Sequence, residues 1–344
     1  MTNLNKKIAV ICIFTVLLIS IFSGCAKNNE NNADLQGVRF NNKLAESGSD
    51  PWVILKDDVY YYCYSADGGV CVAKADNIPQ IGSTEGVKVW TPENEEYSQE
   101  IWAPELHYLQ GKWYIYVAAD NGDNANHRMI CLEGTSDDPT EPFAFKSVLR
   151  AETDRWAIDG TVMEYENQLY FIWSGWEGFE NVEQRLYIAK MDDPWTLSGD
   201  RVEISSPEYR WERKGGEPKI NEGPTALKLN GTQHIVYSAS GSWCDDYCLG
   251  LLTLTGDDPM NAESWSKSKK PVFKKSGKVF GPGHASFTVS KDGDQYFMFY
   301  HANEEKGSGW DGRRLWAQEF TVDENNYPVF GKPLPAGSMQ IIKE

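Results

Sequence analysis

Three acidic residues of this chain sit in settings that suit chemistry better than solvation. Glu222 stands in Asn221-Glu222-Gly223-Pro224, Asp50 in Ser49-Asp50-Pro51-Trp52 and Asp159 in Ile158-Asp159-Gly160. Glycine and proline directly after Glu222 impose a tight backbone path, which presents the carboxyl at the mouth of a strand rather than on a solvated helix face. Two carboxyls on opposite sides of a bond can cleave it with water. One protonates the departing oxygen, and the other activates the attacking water. Residues this far apart in the chain act together only if the fold brings them to one point, so the elements that carry them decide the matter.

After Glu222 the chain runs from Thr225 to Leu229, turns at Asn230-Gly231 and returns as His234 to Ser240. This is an apolar strand, a hairpin turn and an apolar, aromatic strand. The same cassette starts at Trp52, Glu105, Thr161 and Ala285, with turns at Asp57-Asp58, Gln110-Gly111, Glu166-Asn167 and Asp292-Gly293. Third apolar strands follow, as at Val70 to Ala73, Leu186 to Ala189 and Leu249 to Leu252, and Asp-Asp-Pro turns recur at 137–139, 192–194 and 257–259. Self-similarity with three or four strands per period of roughly 40 to 60 residues predicts an all-β fold, a five-bladed β-propeller. In a propeller the starts of the innermost strands all face one end of the central axis. Counting back eight or nine residues from the second turn residue lands on Asp50, Trp102, Asp159, Glu222 and His284, which are therefore expected to converge.

The first 24 residues read as a lipoprotein signal peptide: Lys6 and Lys7, an apolar run from Ile8 to Phe22, then Ser23-Gly24-Cys25. Cys25 is the expected lipidation site, residues 25–40 a polar, membrane-anchored tether and residues 41–344 the propeller. The expected address is extracytoplasmic, on a cell-surface or periplasmic face. Whether residues 37–47 join the last blade is left open. The formal charge is −17, from 33 basic and 50 acidic side chains; the leader holds two lysines and no acids, so the mature chain carries −19. Phosphate binding needs clustered Lys and Arg, so nucleic acid is excluded as a partner. The balance favours a neutral or cationic ligand, and 13 Trp and 17 Tyr offer stacking surfaces for sugars. Cys63 and Cys71 flank a turn and could bridge across a hairpin. Packed free thiols are the competing expectation.

With a propeller axis to hold them, Asp50 and Glu222 suit glycoside hydrolysis, Asp159 serving as a negative neighbour that keeps the proton donor protonated. Ser49-Asp50-Pro51, Trp102-Ala103-Pro104-Glu105, Ile158-Asp159-Gly160, Asn221-Glu222-Gly223-Pro224 and Gly281-Pro282-Gly283-His284, in that order, resemble glycoside hydrolase family 43 over residues 48–335. The resemblance implies inverting hydrolysis, with Asp50 as general base, Glu222 as general acid and Asp159 tuning and orienting the acid. It implies no cofactor for the chemistry, a structural calcium in the central channel associated with His284, Trp102 lining the sugar pocket, and a substrate-binding arginine at Arg313 or Arg314. The strings Ile101 to His107, Trp173 to Gly178 and Tyr237 to Trp243 are similar to a branch rich in α-L-arabinofuranosidases. There Trp176 and Trp243 would wall a narrow pocket for terminal sugars of plant cell-wall polysaccharide. β-Xylosidase and endo-arabinanase are the enzymatic alternatives, and a surface glycan-binding propeller without turnover is the non-enzymatic one.

Overall fold

A computed structural model of the protein describes residues 37–343. The expected signal peptide, Cys25 and the expected tether up to residue 36 lie outside the described residues. Four of the five expected hairpins close on two-residue turns in which both residues have positive φ: Asp57-Asp58, Gln110-Gly111, Glu166-Asn167 and Asn230-Gly231. This is the turn whose twist matches that of paired strands, and Asn, Asp and Gly tolerate it best. The fifth hairpin is longer: Val289 pairs with Tyr296, and only Gly293 of the expected turn pair has positive φ.

The hairpins extend into five blades. Blade one is Trp52–Lys56, Val59–Ala66, Gly69–Ala75 and Val87–Trp90; blade two is Gln99–Leu109, Lys112–Asp120, Arg128–Gly134 and Phe143–Leu149. Blade three is Ala157–Tyr165, Gln168–Gly175, Glu183–Asp193 and Thr196–Ser205, and blade four Lys219–Leu229, Thr232–Ala239 and Cys248–Leu254 with two short outer strands. Blade five contributes Phe280–Val289, Tyr296–Asn303 and Arg314–Val322, and its fourth strand is Lys43–Ala45 from the start of the chain. The ring is thus closed by a strand from the N-terminal side. Val38–Asn41 pairs with Met339–Ile342, so Val38 to Phe40, expected in the tether, are sheet.

Strand periodicity explains why the ring holds. In Lys112–Asp120, Trp113, Ile115, Val117 and Ala119 pack towards blade one while Tyr114, Tyr116 and Ala118 pack towards blade three. Alternate side chains leave opposite faces, so a strand buried on both sides reads as continuously apolar. Five apolar clusters result, each filled from two adjacent blades, and the cluster between blades five and one seals the ring. The cysteine bridge does not form. Tyr64 pairs with Cys71 and Cys63 with Val72, so the two thiols leave opposite faces of the sheet, and both are free.

Candidate active site

The inner strands share a backbone device at the end nearest the site. Asp50, Ala103, Asp159, Gly223 and His284 all have φ between 44 and 54°, at the point where each inner strand bulges out of its ladder or begins. They stand eight residues before the second turn residue in the first four blades, and nine before it in the fifth, whose hairpin is longer. This corrects the expected equivalence: Trp102 and Glu222 lie one residue ahead of the bulge position, which Ala103 and Gly223 occupy. A one-residue offset in a strand turns a side chain to another direction. Asp50 and Asp159 therefore enter from the bulge itself, and the longer Glu222 side chain reaches in from the preceding position.

Bulging frees backbone N–H groups from the ladder, and side chains of the preceding blade take three of them. Gly223 N–H donates to Asp159 Oδ2 (3.0 Å), His284 N–H to Ser238 Oγ (2.8 Å) and Asp50 N–H to His301 Nδ1 (3.2 Å). Left-handed backbone costs a non-glycine residue about 1–2 kcal/mol, and these bonds offset it. Further back on blade four, Glu212 accepts from Asn221 Nδ2 (3.1 Å) and the Tyr237 hydroxyl (2.9 Å) and pairs with Lys267 Nζ (2.8 Å), fixing the residue before Glu222.

Asp50, Asp159, Glu222 and His284 line one cavity of about 530 Å³, with Trp102, Trp243 and Arg313. Asp50 Oδ1 is 3.1 Å from His284 Nδ1, 3.3 Å from His301 Nδ1 and 3.5 Å from Arg313 Nη1. Burial pushes the Asp50 carboxyl up, but the charge and hydrogen bond of His284, with the charge of Arg313, outweigh it and hold it well below the usual carboxylate range. Burial also opposes protonation of His284; the charges of Asp50 and Asp159 overcome it and raise its pKa to about 10. His301 is the neutral imidazole, pushed by burial to about 4. Its Nδ1 accepts the Asp50 N–H, which makes the contact to Asp50 Oδ1 a close approach rather than a second hydrogen bond.

Glu222 is in the opposite condition. Burial, and then the charge of Asp159, raise it to about 8, against a hydrogen bond donated by the Tyr247 hydroxyl to Oε1 at 2.8 Å. Asp159 itself rises to about 6, through burial and against the pull of His284. These surroundings favour an ionised Asp50 and a protonated Glu222, the two states that acid–base cleavage needs.

Trp102 lines the cavity, stacked on His127 at 4.2 Å, and Trp243 lines it with its indole N–H donated to Gly215 O. Trp176 does not reach it. It is 4% exposed and stacks at 4.8 Å on Trp156, which supplies the wall instead, because the second strand of blade three ends one residue earlier, at Gly175, and the chain turns under Trp156. Arg313 faces Asp50, whereas Arg314 contacts Glu46. Among the described residues no three His, Cys, Asp or Glu side chains are grouped to ligate a metal, and His284 Nδ1 is engaged with a carboxylate, whereas calcium takes six to eight oxygens. Sequence reasoning missed Trp156, Trp310 and Gln184 in the wall, and His301 and Tyr247 behind it. Trp156 had a signal, since it lies three residues before Asp159. His301 and Tyr247 had none, since their partners are remote in the chain.

A five-bladed ring with three acids on its central cavity is compatible with a glycoside hydrolase. The family model for glycosyl hydrolases family 43 matches residues 41–328, and this chain belongs to that family. It is 32% identical over 339 residues to α-L-arabinofuranosidase 43 of Humicola insolens, covering 94% of this chain and 69% of that protein. With an extracellular exo-α-(1→5)-L-arabinofuranosidase of Streptomyces avermitilis it shares 34% identity, over 87% of this chain and 65% of the other. About a third of each relative thus lies outside the matched region. The crystal structure of an α-L-arabinofuranosidase from Lactobacillus brevis superposes with a TM-score of 0.79 at 33% identity, covering 86% of this chain and 97% of that one.

Proposed function

We propose that this protein is an inverting, exo-acting α-L-arabinofuranosidase that releases terminal α-L-arabinofuranosyl residues from arabinan or arabinoxylan-type polysaccharide. The observation that carries the reaction is the placement on one cavity of Asp50, against His284 and Arg313, and of the buried Glu222, held by Tyr247. The names of the relatives support the sugar.

In this reading Asp50 accepts a proton from a water molecule as the water oxygen bonds to the anomeric carbon. The bond from that carbon to the leaving oxygen breaks on the opposite face, and Glu222 delivers its proton to that oxygen. The sugar leaves with inverted configuration. Asp159 keeps Glu222 protonated and, through the Gly223 N–H, holds the backbone beside it. His284 and Arg313 keep Asp50 ionised. Trp102 and Trp243 flank the sugar.

The extracellular relatives support an extracytoplasmic address, and we assign the anchor to Cys25, after the 1–24 leader. Hydrolysis of 4-nitrophenyl α-L-arabinofuranoside beside the β-D-xyloside, with the first-formed anomer followed by NMR, tests sugar and stereochemistry together. Xyloside turnover alone would replace the sugar, retention would remove the mechanism, and binding to arabinan without any turnover would leave a glycan-binding propeller. Cys25→Ser should move the protein from the membrane fraction to the soluble one.

A further inference from the structure

Trp310 occupies a place that its chemistry does not favour without a ligand. The indole is 55% exposed and lines the cavity mouth beside Ser242, Trp243 and Arg313. A large aromatic group left in water forgoes the stabilisation that burial would give. It is also held still. Its N–H donates to Ser242 Oγ (3.1 Å), and its ring stands edge-on to Trp243 at 6.0 Å and 87°. The loop that carries it is fastened by Gly307 N–H on Asp245 Oδ1 (2.8 Å) and by Asn303 Nδ2 on Gly309 O (3.0 Å). The polar edge of the ring is thus satisfied while an apolar face stays open, an arrangement preorganised for stacking.

Its position says which part of a substrate would meet that face. The segment from Ser240 to Tyr247 presents Tyr247 to the Glu222 carboxyl at one end, and Ser242 and Trp243 to Trp310 at the other. Arg313 donates to Trp310 O and lies against Asp50, so Trp310 stands between the two carboxyl sides at the exposed rim of the cavity; in a pocket that holds the terminal sugar at the buried acids, the rim meets the sugar beyond the cleaved bond. We infer that Trp310, braced by Trp243, is the platform for the leaving-group sugar, the neutral pentose residue on the far side of the cleaved bond. This deepens the arabinofuranosidase reading and rests on it for the identity of the sugar, though not for the existence of the platform. Stacking the C–H face of a pentose on indole needs no charge, which suits a ligand that an acidic protein does not repel.

The test is the ratio of kcat/KM on α-1,5-arabinotriose to that on methyl α-L-arabinofuranoside, whose leaving group is too small to stack. It is measured on the full chain with Trp310→Ala and Trp310→Phe, and thermal melts check the fold of each variant. Trp310→Ala should lower the ratio about tenfold, chiefly through KM of the trisaccharide, and Trp310→Phe, which keeps a ring, should hold it within about threefold of the parent. An unchanged ratio in the alanine variant overturns the platform, and so does an equal fall on both substrates, which marks a structural role. If the parent hydrolyses neither arabinoside, the sugar assignment has failed. The same ratio with xylotriose and methyl β-D-xyloside then decides the platform separately.

Discussion

The Asp50 and Glu222 sides of the cavity start from the same condition and end in opposite ones. Both carboxyls are withdrawn from water, Asp50 less completely than Glu222, which alone would push each pKa up. On the Asp50 side, blade five and the loop before its third strand supply His284 and Arg313, and the carboxyl stays ionised. On the Glu222 side, the charge that weighs most is the carboxyl of Asp159, and it favours retention of the proton. The two sides also share a buttress. His301, which accepts the Asp50 N–H, stacks flat on Tyr247, which donates to Glu222, with ring centroids 5.6 Å apart and planes 6° apart. Opposite roles thus come from the neighbours that the ring places around each acid, not from the acids themselves.

The strongest way to break this contrast is to remove the charge on the Asp50 side. Asp50→Asn should lower kcat by about 10²–10⁴-fold on natural and aryl arabinosides alike, because water activation does not depend on the leaving group. Near-normal turnover would remove Asp50 from the reaction. Glu222→Gln should cost as much on arabino-oligosaccharides but much less on aryl arabinosides whose phenolate leaves without a proton; equal losses would undo the acid assignment.

The same substitution probes stability. The Glu222 pKa is higher in the folded chain than in the unfolded one, so its contribution to stability is fully present below about pH 4.5 and is lost as pH rises through about 8. Glu222→Gln should therefore match the parent near pH 4 and exceed it at pH 9, by on the order of a few kcal/mol in urea unfolding. A variant no more stable than the parent at pH 9 would show that Glu222 carries no such burden.

Much of this contrast is legible in the amino-acid sequence, and the parts that are not have physical reasons. Five blades are legible because Asp-Asp, Gln-Gly, Glu-Asn and Asn-Gly turns recur between doubly buried strands, and the three acids stand out through the proline or glycine behind them. The bulge frame is not legible. Counting from the hairpin cannot distinguish a longer turn from a shifted bulge, so it aligns Trp102 and Glu222 with Asp50 although they sit one residue ahead of the equivalent place. Trp156 and Trp176 exchange roles because their stacking is set by where a strand ends. Ring closure rests on the three-residue strand Lys43–Ala45, too short to display a period. The cationic surroundings of Asp50 come from His284 and Arg313, brought in from more than 230 residues away, and only the fold reveals them.

Two smaller changes on the Glu222 side sharpen the comparison because they should act in opposite directions. Asp159→Asn removes the negative neighbour that helps Glu222 keep its proton, so the basic limb of the pH–kcat/KM profile should move down by about one unit. An unmoved limb would leave Asp159 only its bond to the Gly223 N–H. Tyr247→Phe should do the reverse. The hydroxyl donates to Oε1 of Glu222, a bond stronger to the carboxylate than to the acid, and so it pulls the Glu222 pKa down against burial. Losing it should move the basic limb up by about half a unit to one unit, in keeping with a single hydrogen bond worth about 0.5–1.5 kcal/mol. The same bond leaves Oε2 as the oxygen that carries the transferable proton, so kcat at the optimum should fall severalfold even as the active range widens. A merely packing role for the ring predicts neither effect, since phenylalanine keeps the stack on His301. A limb that stays in place, or moves down, in Tyr247→Phe would show that the hydroxyl does not set the ionisation of the acid.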